Sequence, residues 1–97
     1  MSLEWDWRKY QRNLFKHGLN FRDAELVFDG PCLTLEDERF GDGEQRFVTP
    51  GSLAGRVVVI AHTPRGENTR IISMRKANSR ERKHYDERLE APRRADR

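Results

Sequence analysis

The eight residues "RVVVIAHT", 56–63, constrain this chain more than any other stretch. They are its most apolar run, rich in β-branched side chains, and they lie between Gly55 and Pro64. A run this short and this branched reads as a central strand buried on both faces. Such a strand needs partners, and the flanking segments offer them. "CLTLEDERF" (32–40) alternates Leu33 and Leu35 against Thr34 and Glu36, and reads as a first strand. After the glycine-rich turn "FGDGE", "EQRFVTP" (44–50) supplies a second, and "PGSLAG" (50–55) reads as a loop. Beyond the turn "PRGEN", "TRIISMR" (69–75) returns as the fourth. A meander joined by short loops is the economical arrangement.

The strands are framed by helical signals. "EWDWRKYQRNLFKHG" (4–18) reads as a helix with Asp6 as N-cap, Tyr10 and Leu14 on one face, and Gly18 just past its end. "NFRDAELVFDGP" opens on Asn20 as N-cap with Asp23 three residues on. Phe21, Ala24, Val27 and Phe28 line one side, and Gly30-Pro31 forbids continuation. A last helix begins near Asn78, with Glu81 at the capping-box position and a thin apolar edge of Tyr85 and Leu89. The expected fold is α+β: two N-terminal helices, a four-stranded mainly antiparallel sheet and a C-terminal helix, with the helices on one face of the sheet. Residues 1–91 form one domain, and 92–97 read as a flexible tail.

Composition bounds what such a domain does. Hydrophobic residues make up 35% and charged residues 36% of 97, enough for one modest core under a densely charged surface. The single Cys32 cannot form an internal disulfide, and no apolar run approaches the roughly 20 residues of a membrane span. No export leader is visible, so a cytoplasmic location is expected. Charge is distributed unevenly. Residues 19–44 hold two basic and eight acidic side chains, whereas residues 65–97 hold eleven basic and six acidic. An acidic middle and a basic final third suggest two faces of opposite potential, and basic clustering is permissive for nucleic acid.

Several chemistries lack their residues. His17, His62 and His84 are scattered and show no ligand spacing, so no metal is expected. "GDG" at 41–43 is a turn with no helix after it, there is no phosphate-binding P-loop, and there is no nucleophile elbow. No cofactor is expected either. What remains is a set of Arg, Lys, Glu, His and Tyr on and beside a sheet. It suits attack of an RNA 2′-hydroxyl on its own 3′ phosphate, which needs a proton acceptor, a proton donor and positive charge on the non-bridging oxygens. Arg46, Arg70, Arg75 and Lys76 are fixed cations, Glu44 and Glu81 are possible bases, and Tyr85 is a possible acid or stacking platform.

The segments "KHGLNF" (16–21) and "RIISMRKANSRER" (70–82), set within a match from about residue 4 to residue 86, resemble the BrnT family of type II toxin–antitoxin systems. The resemblance implies a RelE-like endoribonuclease toxin that cleaves mRNA without a metal, free or on the ribosome, and inhibits translation. It also implies a BrnA-type antitoxin as partner, through which operator DNA is contacted, and no membrane. Carried over by position, Arg46 and Arg75 are the phosphate-clamping pair and Tyr85 the aromatic of the final helix. Glu44 and Lys76 are secondary candidates, and Arg39, Arg80 and Lys83 are candidate RNA-binding cations. His62 stands where the family more often has an aromatic residue. A non-catalytic RNA- or protein-binding module, or a degenerate toxin that retains only antitoxin binding, is the alternative.

Plainer roles compete at several positions. His17 suits the carbonyl end of the first helix, and His84 a solvated helix face. His62 is as readily a satisfied core histidine as an acid–base group. Trp5 and Trp7 are expected to seal the first helix against the sheet. Arg70 and Arg75, five apart on one strand, lie on opposite faces unless a bulge intervenes. Arg75 is preferred because it leaves the strand beside a helix N-terminus, where free amides attract phosphate.

Overall fold

Asp6 starts the first helix as the sequence predicts. In the computed structural model its side chain accepts from the amides of Arg8 and Lys9, opening α1 (Trp7–His17), and Gly18 closes it at φ 68°. The structure describes residues 2–39, 41 and 43–95, with side chains through Leu89. Asn20 accepts from the Arg22 amide to begin a 3-10 turn, Phe21–Asp23, that runs into α2 (Ala24–Asp29). The sheet contains β1 (Ser2–Trp5), β2 (Leu35–Glu36), β3 (Phe47–Leu53), β4 (Arg56–Arg65) and β5 (Asn68–Lys76), and α3 (Ser79–Ala95) follows. The expected tail at 92–97 falls where side chains, and beyond Ala95 the backbone, lie outside the described residues.

The sheet has five strands, not four, in the order β1-β5-β4-β3-β2, and it is mixed. The added strand is β1, parallel to β5 from Ser2↔Asn68 to Trp5↔Ile71. Glu4 and Trp5, expected in the first helix, are therefore extended. Their partner lies 66 residues away, and nothing in the local pattern announces it. At the other edge, the described residues of the expected 32–40 strand form a short strand at Leu35–Glu36, with an isolated bridge from Cys32 to Gly51. The expected loop at 50–55 is instead strand through Leu53. Only Ala54-Gly55 turns, both with positive φ.

Helices cover both faces, which corrects the one-faced expectation. On one side Val58, Ile60, Ile71 and Met74 pack beneath Phe21, Ala24 and Val27, all essentially sealed from solvent. Trp5, Tyr10 and Phe21 extend this core as stacked and edge-on rings, whereas Trp7 is 63% exposed on the outside of Tyr10. On the other side Val59, Pro50 and Val48 lie under the first turns of α3. The reason is in β4 itself. Val58 and Ile60 face one way and Val59 the other, so each side has to be covered by a separate layer.

Two backbone features place the functional side chains. β4 and β5 slip register between Ala61 and His62, so that Ala61 pairs with Ser73 and His62 with Ile71, leaving Ile72 as the bulged residue. The bulge reverses the alternation. Arg70 (opposite Thr63) and Arg75 (opposite Val59) therefore share the α3 side of the sheet. Where β1 ends, Asn13 of α1 replaces a strand. Its amide donates to the Met74 carbonyl at 2.9 Å, and its oxygen accepts from the Met74 amide at 3.0 Å. A buried polar side chain with both ends matched to one backbone position ties α1 to the sheet edge.

Candidate active site

The junction of β5 and α3 is built around one carboxylate. Asn78 caps α3 by accepting from the Glu81 amide at 2.8 Å, and Glu81 Oε1 accepts in return from the Asn78 amide at 3.0 Å. The same carboxylate takes the Arg75 fork, with Nη1 to Oε1 at 2.7 Å and Nη2 to Oε2 at 2.8 Å. Arg75 Nη1 also reaches the Lys76 carbonyl at 3.4 Å. The Arg75 guanidinium, with help from the Asn78 amide, holds the Glu81 carboxyl below its ordinary range against the opposing effect of burial. Two oxygens in one plane thus occupy a two-pronged cation, the same seat that two phosphate oxygens would fill.

More charge lies on the same face. Asp37 receives the Arg39 side chain in a second fork, at 2.8 and 2.7 Å, and this contact holds the Asp37 carboxyl below its usual range. The Asp37 amide donates to the Arg46 carbonyl at 2.8 Å. The Arg46 guanidinium also lowers the Asp37 carboxyl, and the Arg39 charge opposes that of Arg75. Arg46 lies 3.8 Å from Glu44. Arg46 continues the β3 register opposite Thr63, while Arg75 lies opposite Val59. Four residues along β4 and two strand spacings separate their Cα atoms by roughly 16 Å. The two arginines share a face without meeting directly, and the Asp37–Arg39 pair is coupled electrostatically to both.

Of the residues proposed from sequence, Arg39, Arg46, Arg75 and Glu44 belong to this charged face. Tyr85 lies beneath α3, 7% exposed, and its hydroxyl donates to the Pro31 carbonyl at 2.6 Å. Arg80 lines a cavity of about 290 Å³ beside Tyr85, floored by Leu35, Val48 and Pro50. Lys83 is exposed on α3, and Lys76 is exposed at the end of β5, on the side of that strand opposite Arg75. Lys76 sits instead near Arg56, Arg82 and Asp86. His62 belongs to the other face. It is 8% exposed, between the edge of Phe28 and the plane of Phe47, and bonded to the Thr49 hydroxyl at 2.7 Å. Burial lowers its pKa to about 4, so it is a neutral ring at pH 7. Glu4 was not singled out from sequence. Glu4 holds Arg70 at 3.1 Å from the neighbouring strand, a contact visible only once β1 is known.

A mixed sheet with one arginine-lined face, closed by a helix whose capping carboxylate fills the central fork, defines a small α+β protein with a built anion seat. Over residues 5–81 the chain matches the family described as "Ribonuclease toxin, BrnT, of type II toxin-antitoxin system". It belongs to that family, a family of ribonuclease toxins that implies an RNA substrate and an antitoxin partner. No curated protein matches the chain. Among the described residues no helix is long and apolar enough to cross a membrane.

Proposed function

We propose that the chain is a metal-independent endoribonuclease that cleaves mRNA on the α3 face of its sheet, inhibits translation, and is neutralised by a BrnA-type antitoxin. The observation that carries this reading is the Arg75 fork, held in bidentate geometry by a carboxylate that a phosphate can replace. In the reading, a scissile phosphate displaces Glu81 and seats two non-bridging oxygens on Arg75. Arg46 and Arg39 supply further positive charge as the phosphorane builds up. The 2′-oxygen gives up its proton and attacks phosphorus, the bond to the 5′-oxygen breaks, that oxygen takes a proton from solvent water, and the products are a 2′,3′-cyclic phosphate and a 5′-hydroxyl. Glu81, released from Arg75, loses the contact that depresses its pKa and is the carboxylate nearest to accept the 2′-hydroxyl proton. Tyr85 acts by holding α3 on the sheet, since its hydroxyl is committed to Pro31.

Expression of the wild type should arrest growth and leave RNA fragments with 2′,3′-cyclic phosphate ends that form in the presence of chelator. Arg75→Ala should lose both effects while melting as a folded protein. Cleavage that continues in Arg75→Ala, or fragments with 3′-hydroxyl ends, would overturn the assignment. A second reading, a toxin that binds antitoxin without turnover, is favoured by one fact: Arg75 already carries a carboxylate in the free chain. Antitoxin binding with no RNA cleavage by the wild type would select it.

A further inference from the structure

We infer a second RNA-holding subsite, resting on the ribonuclease reading above: the groove between α1 and the open edge of β5, which takes the strand that flanks the cleaved linkage. The groove encloses about 460 Å³ and is lined by Lys9, Arg12, Phe15, Lys16, Ile72 and Ser73. Its chemistry begins with α1. From Trp7 to His17 the helix holds Arg8, Lys9, Arg12 and Lys16 and no acidic residue. Lys9, Arg12 and Lys16 fall at i, i+3 and i+7, one stripe about 10 Å long. No ion pair among the described residues engages any of the three. Phe15 stands beside the stripe with 95% of its surface in solvent. A line of cations beside a bare aromatic ring is the recognition set for a single nucleic-acid strand, with phosphates on the cations and a base on the ring.

Two structural facts select a nucleic-acid strand over a peptide. A peptide would most simply extend the sheet at the free edge of β5, but Asn13 already occupies both the amide and the carbonyl of Met74 there. What the groove offers is side chains, and every charged one facing it is basic. Position supplies the second fact. Ser73 pairs with Ala61 and Arg75 with Val59, so both point to the α3 side of β5, two residues apart. The groove mouth therefore lies about 7 Å along the strand from the Arg75 seat, and a chain held by Arg75 at one phosphate runs over the sheet edge into it.

The test uses a fluorescent ten-nucleotide RNA and a trinucleotide, both made non-cleavable by 2′-O-methylation, with anisotropy read across a salt series. The wild type should bind the ten-mer far more tightly than the trimer. Lys9→Ala/Arg12→Ala/Lys16→Ala should lose that length advantage, bind the ten-mer at least tenfold more weakly, and flatten the slope of log affinity against log salt by about 2. Phe15→Ala should weaken ten-mer binding roughly five- to a hundredfold with the salt slope kept. Melting curves for both variants should match the wild type, since all four side chains are exposed. A triple variant with wild-type affinity and slope would overturn the subsite, and so would a triple variant that loses only antitoxin binding. If the wild type still yields 2′,3′-cyclic ends in either case, the ribonuclease reading stands and the groove alone falls. A wild type that neither binds nor cuts RNA removes both.

Discussion

Glu81→Gln separates stability from binding in opposite directions. Gln at this position keeps a side-chain oxygen for the Asn78 amide, so the capping box survives, and what is lost is the charge facing Arg75. The pair is bidentate, with bonds of 2.7 and 2.8 Å, but the side chains are 42% exposed for Arg75 and 31% for Glu81. Solvent screening at that exposure discounts it to roughly 0.5–1 kcal/mol. For a domain of this length such a loss lowers the melting temperature by about 2–8 °C. The same free energy no longer has to be surrendered when phosphate enters, so binding of non-cleavable RNA should tighten about two- to fivefold. Cleavage should fall, because the proton acceptor of the proposed mechanism is gone.

The pH dependence carries the same sign. A carboxyl held below its ordinary value of 4.5 contributes stability above that value, and the contribution disappears as pH falls through the depressed one. The melting difference between wild type and Glu81→Gln should therefore close on acidification below about pH 4.5. Thermal melts from pH 3 to 7, together with anisotropy at pH 7, read both effects. A variant that melts lower but binds RNA no better than the wild type would refute Arg75 as the phosphate seat.

Three further substitutions test the scaffold. His62, neutral and buried with a pKa of about 4 against an ordinary 6.5, makes the folded state take up fewer protons than the unfolded one between those values. Stability should thus fall by about 3 kcal/mol as pH drops from 7 to 4. In His62→Gln the urea midpoint should be markedly less sensitive to pH over that range. Asn13→Ala leaves the Met74 amide and carbonyl without partners and should cost about 2–4 kcal/mol by urea denaturation. Gly51→Ala puts a methyl group into Val27 Cγ1 and against Cys32 Cβ, and should cost about 1–3 kcal/mol through overpacking, with the melting temperature as readout.

What the sequence made legible was local. The bounds of α1 follow from Asp6 and Gly18, and the start of α3 from Asn78 and Glu81, because caps act over three or four residues. The Phe21-Ala24-Val27 face was readable because its period matches a helix and all three residues are buried. The strand at Ser2–Trp5 was not, because it is made by pairing with β5 and adjoins a strong N-cap that draws the whole stretch toward helix. The bulge at Ile72 leaves no trace in "TRIISMR", yet it decides that Arg70 and Arg75 face the same way. His62 shows a different limit. Residue type gave equal weight to chemistry and packing, and only the rings of Phe28 and Phe47 with the Thr49 hydroxyl assign it to the core.

One carboxylate serving both a cap and a clamp has a mechanical consequence. In the proposed mechanism, when phosphate displaces Glu81 from Arg75 the Asn78 side chain still accepts from the Glu81 amide, since that bond uses backbone and not the carboxylate. Tyr85 still anchors α3 to the Pro31 carbonyl one turn further on. The helix therefore has no reason to leave the sheet, and opening the seat needs only rotation of one side chain. Asp37 repeats the device at Arg39, with its carboxylate in the fork and its amide on the Arg46 carbonyl. Arg39 and Arg75 are each held in orientation by a carboxylate, and in the proposed mechanism the RNA phosphate competes with that carboxylate for the fork. In the proposed mechanism such a face is organised before RNA arrives, and in the free chain the two carboxylates offset the repulsion between Arg39 and Arg75.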